Sequence, residues 1–169
     1  MATRTKKSRV EATGPPLPRV AFELINPLVS LLLRSPLHRF VGGNLVLIRF
    51  TGRRSGRVFT TPVGSHRLKD TKSDRLFLLT ESGWWRNFDG GRPLEILVDG
   101  DWHEGTGTAV TDPAEVAGFV YQFIRENGPN AARKLGLRIR GKGVPAPEEL
   151  EPALAGRVLI RCDLEEAVF

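Results

Sequence analysis

The chain has 169 residues, of which 40% are hydrophobic and 26% are charged, proportions typical of an ordinary globular protein. Its net charge of +6 leaves room for acidic partners, whereas the single cysteine, Cys162, excludes an internal disulfide framework and suits a reducing compartment. No stretch approaches the roughly 20 apolar residues of a membrane-spanning helix, and the basic, proline-rich start does not resemble a signal peptide, so we expect a cytoplasmic protein.

The first part of the chain divides into a tail and a helical segment. Residues 1–18 are basic and interrupted by Gly14, Pro15 and Pro16, which predicts a mobile tail. Residues 22–33 carry an apolar stripe at helical spacing, and Asn26-Pro27 indicates a helix start within it. We expect this stripe to pack on the rest of the domain, with weak peripheral membrane contact as the alternative.

Strands dominate from residue 44 onward. Extended, β-rich runs cover residues 44–51, 58–64, 75–81 and 157–164, and residues 94–98 and 101–110 indicate a hairpin across Asp99-Gly100. One helix begins with Asp112 as N-cap and Pro113 at its first position, and it ends at Asn127-Gly128. The pattern predicts a mainly β (α+β) domain over residues 19–169, an antiparallel barrel of about six strands with peripheral helices.

The basic residues are concentrated in two zones. Residues 24–69 and residues 127–147 contain no Asp or Glu, although both contain several arginines and lysines. A charge run without nearby counter-charges indicates a polyanion site, whereas the simpler interpretation is a solvated basic surface.

The sequence lacks the motifs of familiar enzyme classes. The three histidines have no metal-ligand spacing and no cysteine partners, so we assign no metal. There is also no G-x-S-x-G elbow, no Walker A loop and no G-x-G-x-x-G fingerprint, which disfavours the familiar hydrolases and Rossmann enzymes.

Three short segments could bind a ligand. A turn between two predicted strands has glycines that could aim backbone N–H groups at an anion and arginines that match phosphate oxygens. A segment after the third strand has paired tryptophans that could face a planar ring, and a third segment contains a proline that leaves neighbouring backbone unpaired. Their candidate residues are Gly52, Arg53, Arg54, Ser55 and Gly56, then Thr80, Glu81, Ser82, Trp84, Trp85 and Asn87, and finally Thr60, Thr61 and Pro62. The plain alternatives are an exposed basic hairpin tip and tryptophans that cap the core.

The order of these segments resembles the deazaflavin-dependent nitroreductase and quinone reductase family. The residues that carry the resemblance are Thr51-Gly52-Arg53-Arg54-Ser55-Gly56, Thr60-Thr61-Pro62 and Trp84-x-x-Asn87. The resemblance implies a split β-barrel related to pyridoxamine-phosphate oxidases and the deazaflavin coenzyme F-420. It further implies that the arginine turn holds the phosphate and acidic tail of the cofactor, and that the other two segments line its ring.

The resemblance predicts an oxidoreductase that passes a hydride from reduced deazaflavin to a small hydrophobic acceptor, such as a quinone or an enone. Tyr121 is the single tyrosine and the candidate proton donor, whereas studied nitroreductases of the family carry several tyrosines after this helix. Three alternatives stay open: an FMN-dependent enzyme on the same barrel, a nucleic-acid-binding module that uses the basic zones, and a non-catalytic cofactor or lipid carrier.

Overall fold

A computed structural model describes residues 8–13, 45–69 and 74–166 of the chain. The predicted helical stripe of residues 22–33 and the start of the predicted tail, residues 1–7, lie outside these ranges. The contacts divide the chain into two compact units. The helical unit contains described residues up to Thr13 and Asp112–Gly156, and the barrel unit contains those from Leu45 to Thr111 and from Arg157 onward.

The described residues contain eight strands and two α-helices. The strands are β1 (Val10–Ala12), β2 (Leu45–Thr51), β3 (Val58–His66), β4 (Arg75–Thr80), β5 (Arg92–Val98), β6 (Asp101–Val110), β7 (Leu137–Ile139) and β8 (Val158–Leu164). The α-helices are α1 (Pro113–Asn127) and α2 (Pro147–Leu150), and short 3-10 helices cover Gly83–Phe88, Pro129–Leu135 and Glu151–Leu154.

The barrel unit is a closed antiparallel barrel in the order β2-β3-β4-β8-β6-β5. These six strands are the ones that the sequence predicts, and the mainly β fold class is confirmed. The predicted bounds differ from the observed ones by two residues or fewer, because the hydrophobic pattern marks a strand better than it marks its ends.

Alternating residues of the strands fill the barrel interior. Val46, Ile48 and Phe50 of β2 are buried there with residues of β4, β5 and β8. Cys162 of β8 belongs to the same cluster and is fully buried. Burial disfavours the thiolate and raises the pKa of Cys162, so this thiol is a packing group and a poor nucleophile.

The helical unit is built around α1. Asp112 caps the helix by accepting hydrogen bonds from the N–H groups of Ala114 and Glu115, at 2.8 and 3.2 Å. Gly128, at φ 84°, follows the last helical residue. The predicted start and end of this helix are confirmed, and the buried residues are Val116, Ala117, Phe119, Val120, Phe123 and Ile124. No helix among the described residues is long and apolar enough to cross a bilayer.

One strand corrects the prediction of a mobile tail. β1 pairs with β7, with Val10 opposite Ile139, and the side chain of Val10 is buried. Arg9 donates to the carbonyl oxygen of Lys142 at 2.6 Å, and Glu11 accepts from Arg140 at 2.9 Å. Because these partners lie more than a hundred residues further along the chain, the local composition of residues 8–13 could not indicate them.

Candidate functional site

The strand ladder of the closed barrel is short between β3 and β4. The two strands pair at only two positions, Ser65 with Leu78 and His66 with Phe77, although β3 extends back to Val58. Beyond Leu78 the chain runs to the end of β4 at Thr80 and then into the 3-10 helix Gly83–Phe88. Within the described residues, the earlier part of β3 therefore pairs with β2 alone. We call this gap in the strand ladder the opening.

The turn between β2 and β3 closes the far end of the opening. The backbone N–H of Arg53 donates to Oδ1 of Asn87 at 2.8 Å, and Nδ2 of Asn87 donates to the carbonyl oxygen of Trp84 at 2.8 Å. The turn, the β3 edge and the 3-10 helix are the three segments singled out from the sequence, and the structure brings them together around one opening.

Backbone N–H groups of the turn bind atoms of the protein, whereas the sequence predicts that they point at an anion. The N–H groups of Gly52 and Gly56 donate to the carbonyl oxygens of Arg57 and Gly52, at 2.8 and 2.9 Å. The N–H of Arg57 donates to Oγ of Ser55 at 3.3 Å, and the N–H of Arg53 is held by Asn87. Four N–H groups of the turn are thus committed to internal partners, so an anion here would be bound mainly by arginine side chains. The expectation of a backbone N–H cradle is wrong for these four groups.

The arginines of the turn differ in their surroundings. The guanidinium of Arg53 lies 3.8 Å from a carboxylate oxygen of Asp89. Arg54 and Arg57 are exposed, and no carboxylate of the described residues pairs with either. Arg54 and Arg57 are therefore the cations of the turn that stay available to an external anion.

Residues 24–69 include no Asp or Glu, but an acidic residue of a neighbouring strand pairs with one of their arginines. Arg49 forms a two-pronged ion pair with Glu95 on the neighbouring strand and lies 4.3 Å from the ring of Trp102. The hydrogen bonds between Arg49 and Glu95 raise the pKa of Arg49 and lower that of Glu95. A count of acids along the sequence misses such pairs, because antiparallel strands join residues that are far apart in the chain.

An aromatic cluster lies beside the opening. Trp84 packs against Phe50 and Phe88, with ring centroids 5.9 Å apart in both pairs, and Phe59 stacks on Phe50 at 5.8 Å. Both Trp84 and Trp85 are partly buried against the barrel core, so core packing, the plain alternative, holds for both. Phe59 and Val58 are nevertheless 45% and 63% exposed, an apolar surface beside the turn that the sequence analysis did not single out.

The candidates on β3 alternate between the two faces of the strand. Thr61 lies opposite the buried Ile48 and therefore faces the barrel interior, whereas Thr60 and Pro62 lie opposite Arg49 and Leu47 on the outer face. A ligand in the opening could contact Thr61 or the unpaired backbone edge, but it could not contact all three side chains on one face.

The residues after β4 mostly have structural partners. Oγ1 of Thr80 accepts from the N–H of Ser82 at 3.0 Å. Glu81 accepts from Arg157 at 2.9 Å, and the Arg157 side chain is only 8% exposed. These contacts hold the chain at the point where it leaves the barrel wall, and Ser82 stays exposed beside them.

Two other features stand by themselves, one in each unit. Tyr121 lies on α1 in the helical unit and is half-buried. A cavity of about 450 Å³ in the barrel unit is lined by Arg49, Thr51 and Val58 and by the acidic residues Glu95, Glu104 and Glu165. Its three carboxylates are unsuited to a phosphate. Among the described residues, no group of His, Cys, Asp and Glu side chains could hold a metal ion.

Comparisons with known proteins give only distant likenesses. No family model and no curated protein matches the chain. A solved F-420 reductase is 17% identical, with a TM-score of 0.41, over 81% of this chain and 93% of that one. A pyridoxamine 5′-phosphate oxidase-related, FMN-binding protein from Nostoc punctiforme is 14% identical, with a TM-score of 0.46, over 82% and 79%. A FAD-binding protein from Mesorhizobium loti is 10% identical, with a TM-score of 0.39, over 93% and 94%.

Proposed function

We propose that this chain is an oxidoreductase that binds the deazaflavin coenzyme F-420 at the opening and serves hydride transfer to a small hydrophobic acceptor, such as a quinone or an enone. The observation that carries the proposal is the convergence of three separate segments. The arginine turn, the edge of β3 beyond its short ladder with β4 and the tryptophan-bearing 3-10 helix border the opening.

The charges at the opening suit an anionic cofactor. Arg54 and Arg57 extend into solvent from a turn whose shape is fixed by its own hydrogen bonds. Guanidinium groups bind phosphate oxygens in pairs, and their planar shape makes this binding directional. A phosphate at the turn would therefore find two cations without having to break an ion pair.

The walls of the opening suit a planar ring. Phe59 offers exposed apolar surface, and the Phe50–Trp84–Phe88 cluster keeps the adjoining wall rigid. The edge of β3 that pairs with no other strand among the described residues offers backbone hydrogen-bonding groups to the polar rim of a ring, with the exception of Pro62, which has no N–H.

Bound deazaflavin would supply the hydride chemistry, and the chain would supply position and a dry surface. The aromatic cluster excludes water from one side of the opening, and the arginine turn fixes the anionic end. Neither role requires a side chain of this opening to gain or lose a proton.

FMN is a second candidate cofactor. The observation that favours it is that two cations of the turn, Arg54 and Arg57, pair with no carboxylate of the described residues and together match the charge of one phosphate group. The longer acidic tail of F-420 would require further cations beyond these two.

Titration of the purified full-length protein with F-420 and with FMN, followed by cofactor fluorescence, tests the proposal. We expect saturable binding that the double variant Arg54→Ala/Arg57→Ala weakens about a hundredfold, because each charge-assisted hydrogen bond contributes roughly 1.5–3 kcal/mol. Arg133→Ala, which removes an exposed arginine of the helical unit, is the matched control. Binding of neither cofactor would contradict the proposal, and salt-dependent binding of single-stranded DNA in its place would favour the nucleic-acid module.

A further inference from the structure

We infer that Asn87 is a positioning residue that fixes the arginine turn relative to the tryptophan-bearing helix, and that anion binding at the turn depends on it. The identity of the bound anion rests on the proposed function. The positioning of the turn by Asn87 is argued from hydrogen bonds alone. Asn87 is half-buried, and both polar ends of its side chain are in use.

The first step is the pair of hydrogen bonds that Asn87 makes. Its Oδ1 accepts from the N–H of Arg53, which lies 34 residues earlier, and its Nδ2 donates to the carbonyl oxygen of Trp84, which lies in its own helix. One amide thereby joins the backbone of the turn to the backbone that carries the tryptophans. Asparagine suits this role because its amide has an acceptor and a donor on one rigid plane.

The second step is that the hydrogen bonds within the turn do not fix its position relative to the helix. The bonds from Gly52 to Arg57 and from Gly56 to Gly52 fix the shape of the turn, but both ends of each bond lie within the turn. A second link to the region of the helix is the contact of Arg53 with Asp89 at 3.8 Å, and both of those side chains are exposed. An exposed ion pair of this kind is screened by water and constrains position weakly.

The third step is the place of Arg53 in the turn. Arg53 directly precedes Arg54, so holding the N–H of Arg53 sets the point from which the Arg54 side chain extends. Without Asn87 the turn keeps its shape but moves as a whole, and the two unpaired guanidiniums lose their fixed position beside the aromatic wall. Ordering them on binding then costs conformational entropy, which lowers affinity.

Two variants of the full-length protein separate the two hydrogen bonds of the Asn87 side chain. Asn87→Ala removes both hydrogen bonds, whereas Asn87→Asp keeps the acceptor for the Arg53 N–H and loses the donor to Trp84. The control is Asn127→Ala, because Nδ2 of Asn127 also donates to a backbone carbonyl, that of Phe123 at 2.9 Å, within a helix of the other unit.

The first measurement is amide hydrogen exchange of Arg53 by NMR without cofactor, and the second is the affinity for F-420 and for FMN. We expect Asn87→Ala to accelerate exchange at Arg53 about tenfold and to weaken cofactor binding about tenfold. Asn87→Asp should keep the slow exchange of the wild type at Arg53, because it keeps the acceptor. Asn127→Ala should change neither the exchange rate at Arg53 nor the cofactor affinity.

Unchanged exchange at Arg53 in Asn87→Ala would overturn the inference, as would accelerated exchange with unchanged cofactor affinity. If the wild-type protein binds neither cofactor, the proposed function fails. The exchange measurement, repeated with inorganic pyrophosphate as the anion, then decides separately whether Asn87 positions the turn for an anion.

Discussion

A side-chain carbon at Gly52 would lie 2.5 Å from Cε2 of Phe59, so the ring of Phe59 occupies the space that any larger residue at this position would need. Oγ of Ser55 would lie 2.7 Å away on another side. Both distances are shorter than real contacts, so Gly52→Ala must displace the ring or the turn. We expect a loss of about 1–3 kcal/mol in the free energy of unfolding and weaker cofactor binding, measured by urea denaturation and by fluorescence titration.

Gly118 provides a matched control for this variant. Gly118 lies inside α1, and beyond the neighbouring backbone of that helix a side-chain carbon there would meet no atom within 4 Å. Gly118→Ala should therefore stabilise the protein by about 0.5–1 kcal/mol, because alanine is the better helix former. In Gly52→Ala/Phe59→Ala, removal of the ring should recover part of the loss caused by the alanine at position 52. A Gly52→Ala variant as stable as the wild type would contradict the close approach.

The sequence predicts the barrel well because its signals are local. Alternating apolar residues, the Asp99-Gly100 turn and the Asp112-Pro113 helix start each act within a few residues, and each is found in the structure. The sequence does not indicate the strand Val10–Ala12, because its partner, Leu137–Ile139, lies far along the chain and both strands are only three residues long.

The candidate site is predicted only in part, because its residue types are local signals and the convergence of its segments is not. The three segments could be named from their residue types, but their convergence depends on the short ladder between β3 and β4, which no local pattern marks. The hydrogen bond between Arg53 and Asn87 and the contact between Arg53 and Asp89 were likewise not evident, because each joins residues more than 30 positions apart. Arg57 is not among the candidate residues predicted from the sequence, and its exposure beside Arg54 is visible only in the structure.

The contact between Arg53 and Asp89 leads to a prediction about specificity for anions. Asp89 is exposed and places a negative charge 3.8 Å from the Arg53 guanidinium, so it competes with an anionic ligand for Arg53. Asp89→Asn should tighten binding of F-420 or FMN about two- to fivefold, the size expected for an exposed ion pair. Asp99→Asn, in the hairpin turn at φ 50°, removes a similar exposed charge and should leave affinity unchanged. Weaker binding in Asp89→Asn would show that Asp89 assists the site.

Phe119 should matter for stability and not for cofactor binding. Its side chain is 7% exposed and stacks with Phe123 at a centroid distance of 6.2 Å. Phe119→Ala leaves a cavity and should cost about 3 kcal/mol in the free energy of unfolding, with Phe119→Leu losing much less. Urea denaturation measures the loss, and titration below the transition measures affinity. A variant with wild-type stability and no turnover would instead give this helix a catalytic role.

The ion pair between Arg49 and Glu95 predicts how stability depends on pH. Hydrogen bonds from Arg49 lower the pKa of Glu95, and they outweigh partial burial, which acts to raise it. Since the pKa of Glu95 is lower in the folded state than its unfolded value of about 4.3, the folded state gains stability above that value. This stability is lost as the pH falls through the lowered pKa, where Glu95 takes up a proton.

Glu95→Gln should therefore destabilise the protein at pH 7, and the difference from the wild type should shrink as the pH falls below about 4. Urea denaturation of both proteins at pH 7, 5, 4 and 3 (about one unit apart through the expected transition) measures this difference. Glu148→Gln removes an exposed carboxylate of α2 and should show little of the same trend. A difference that is constant across this range would mean that Glu95 contributes by packing and hydrogen bonding without its charge, because only ionisation of the carboxylate can make the contribution depend on pH.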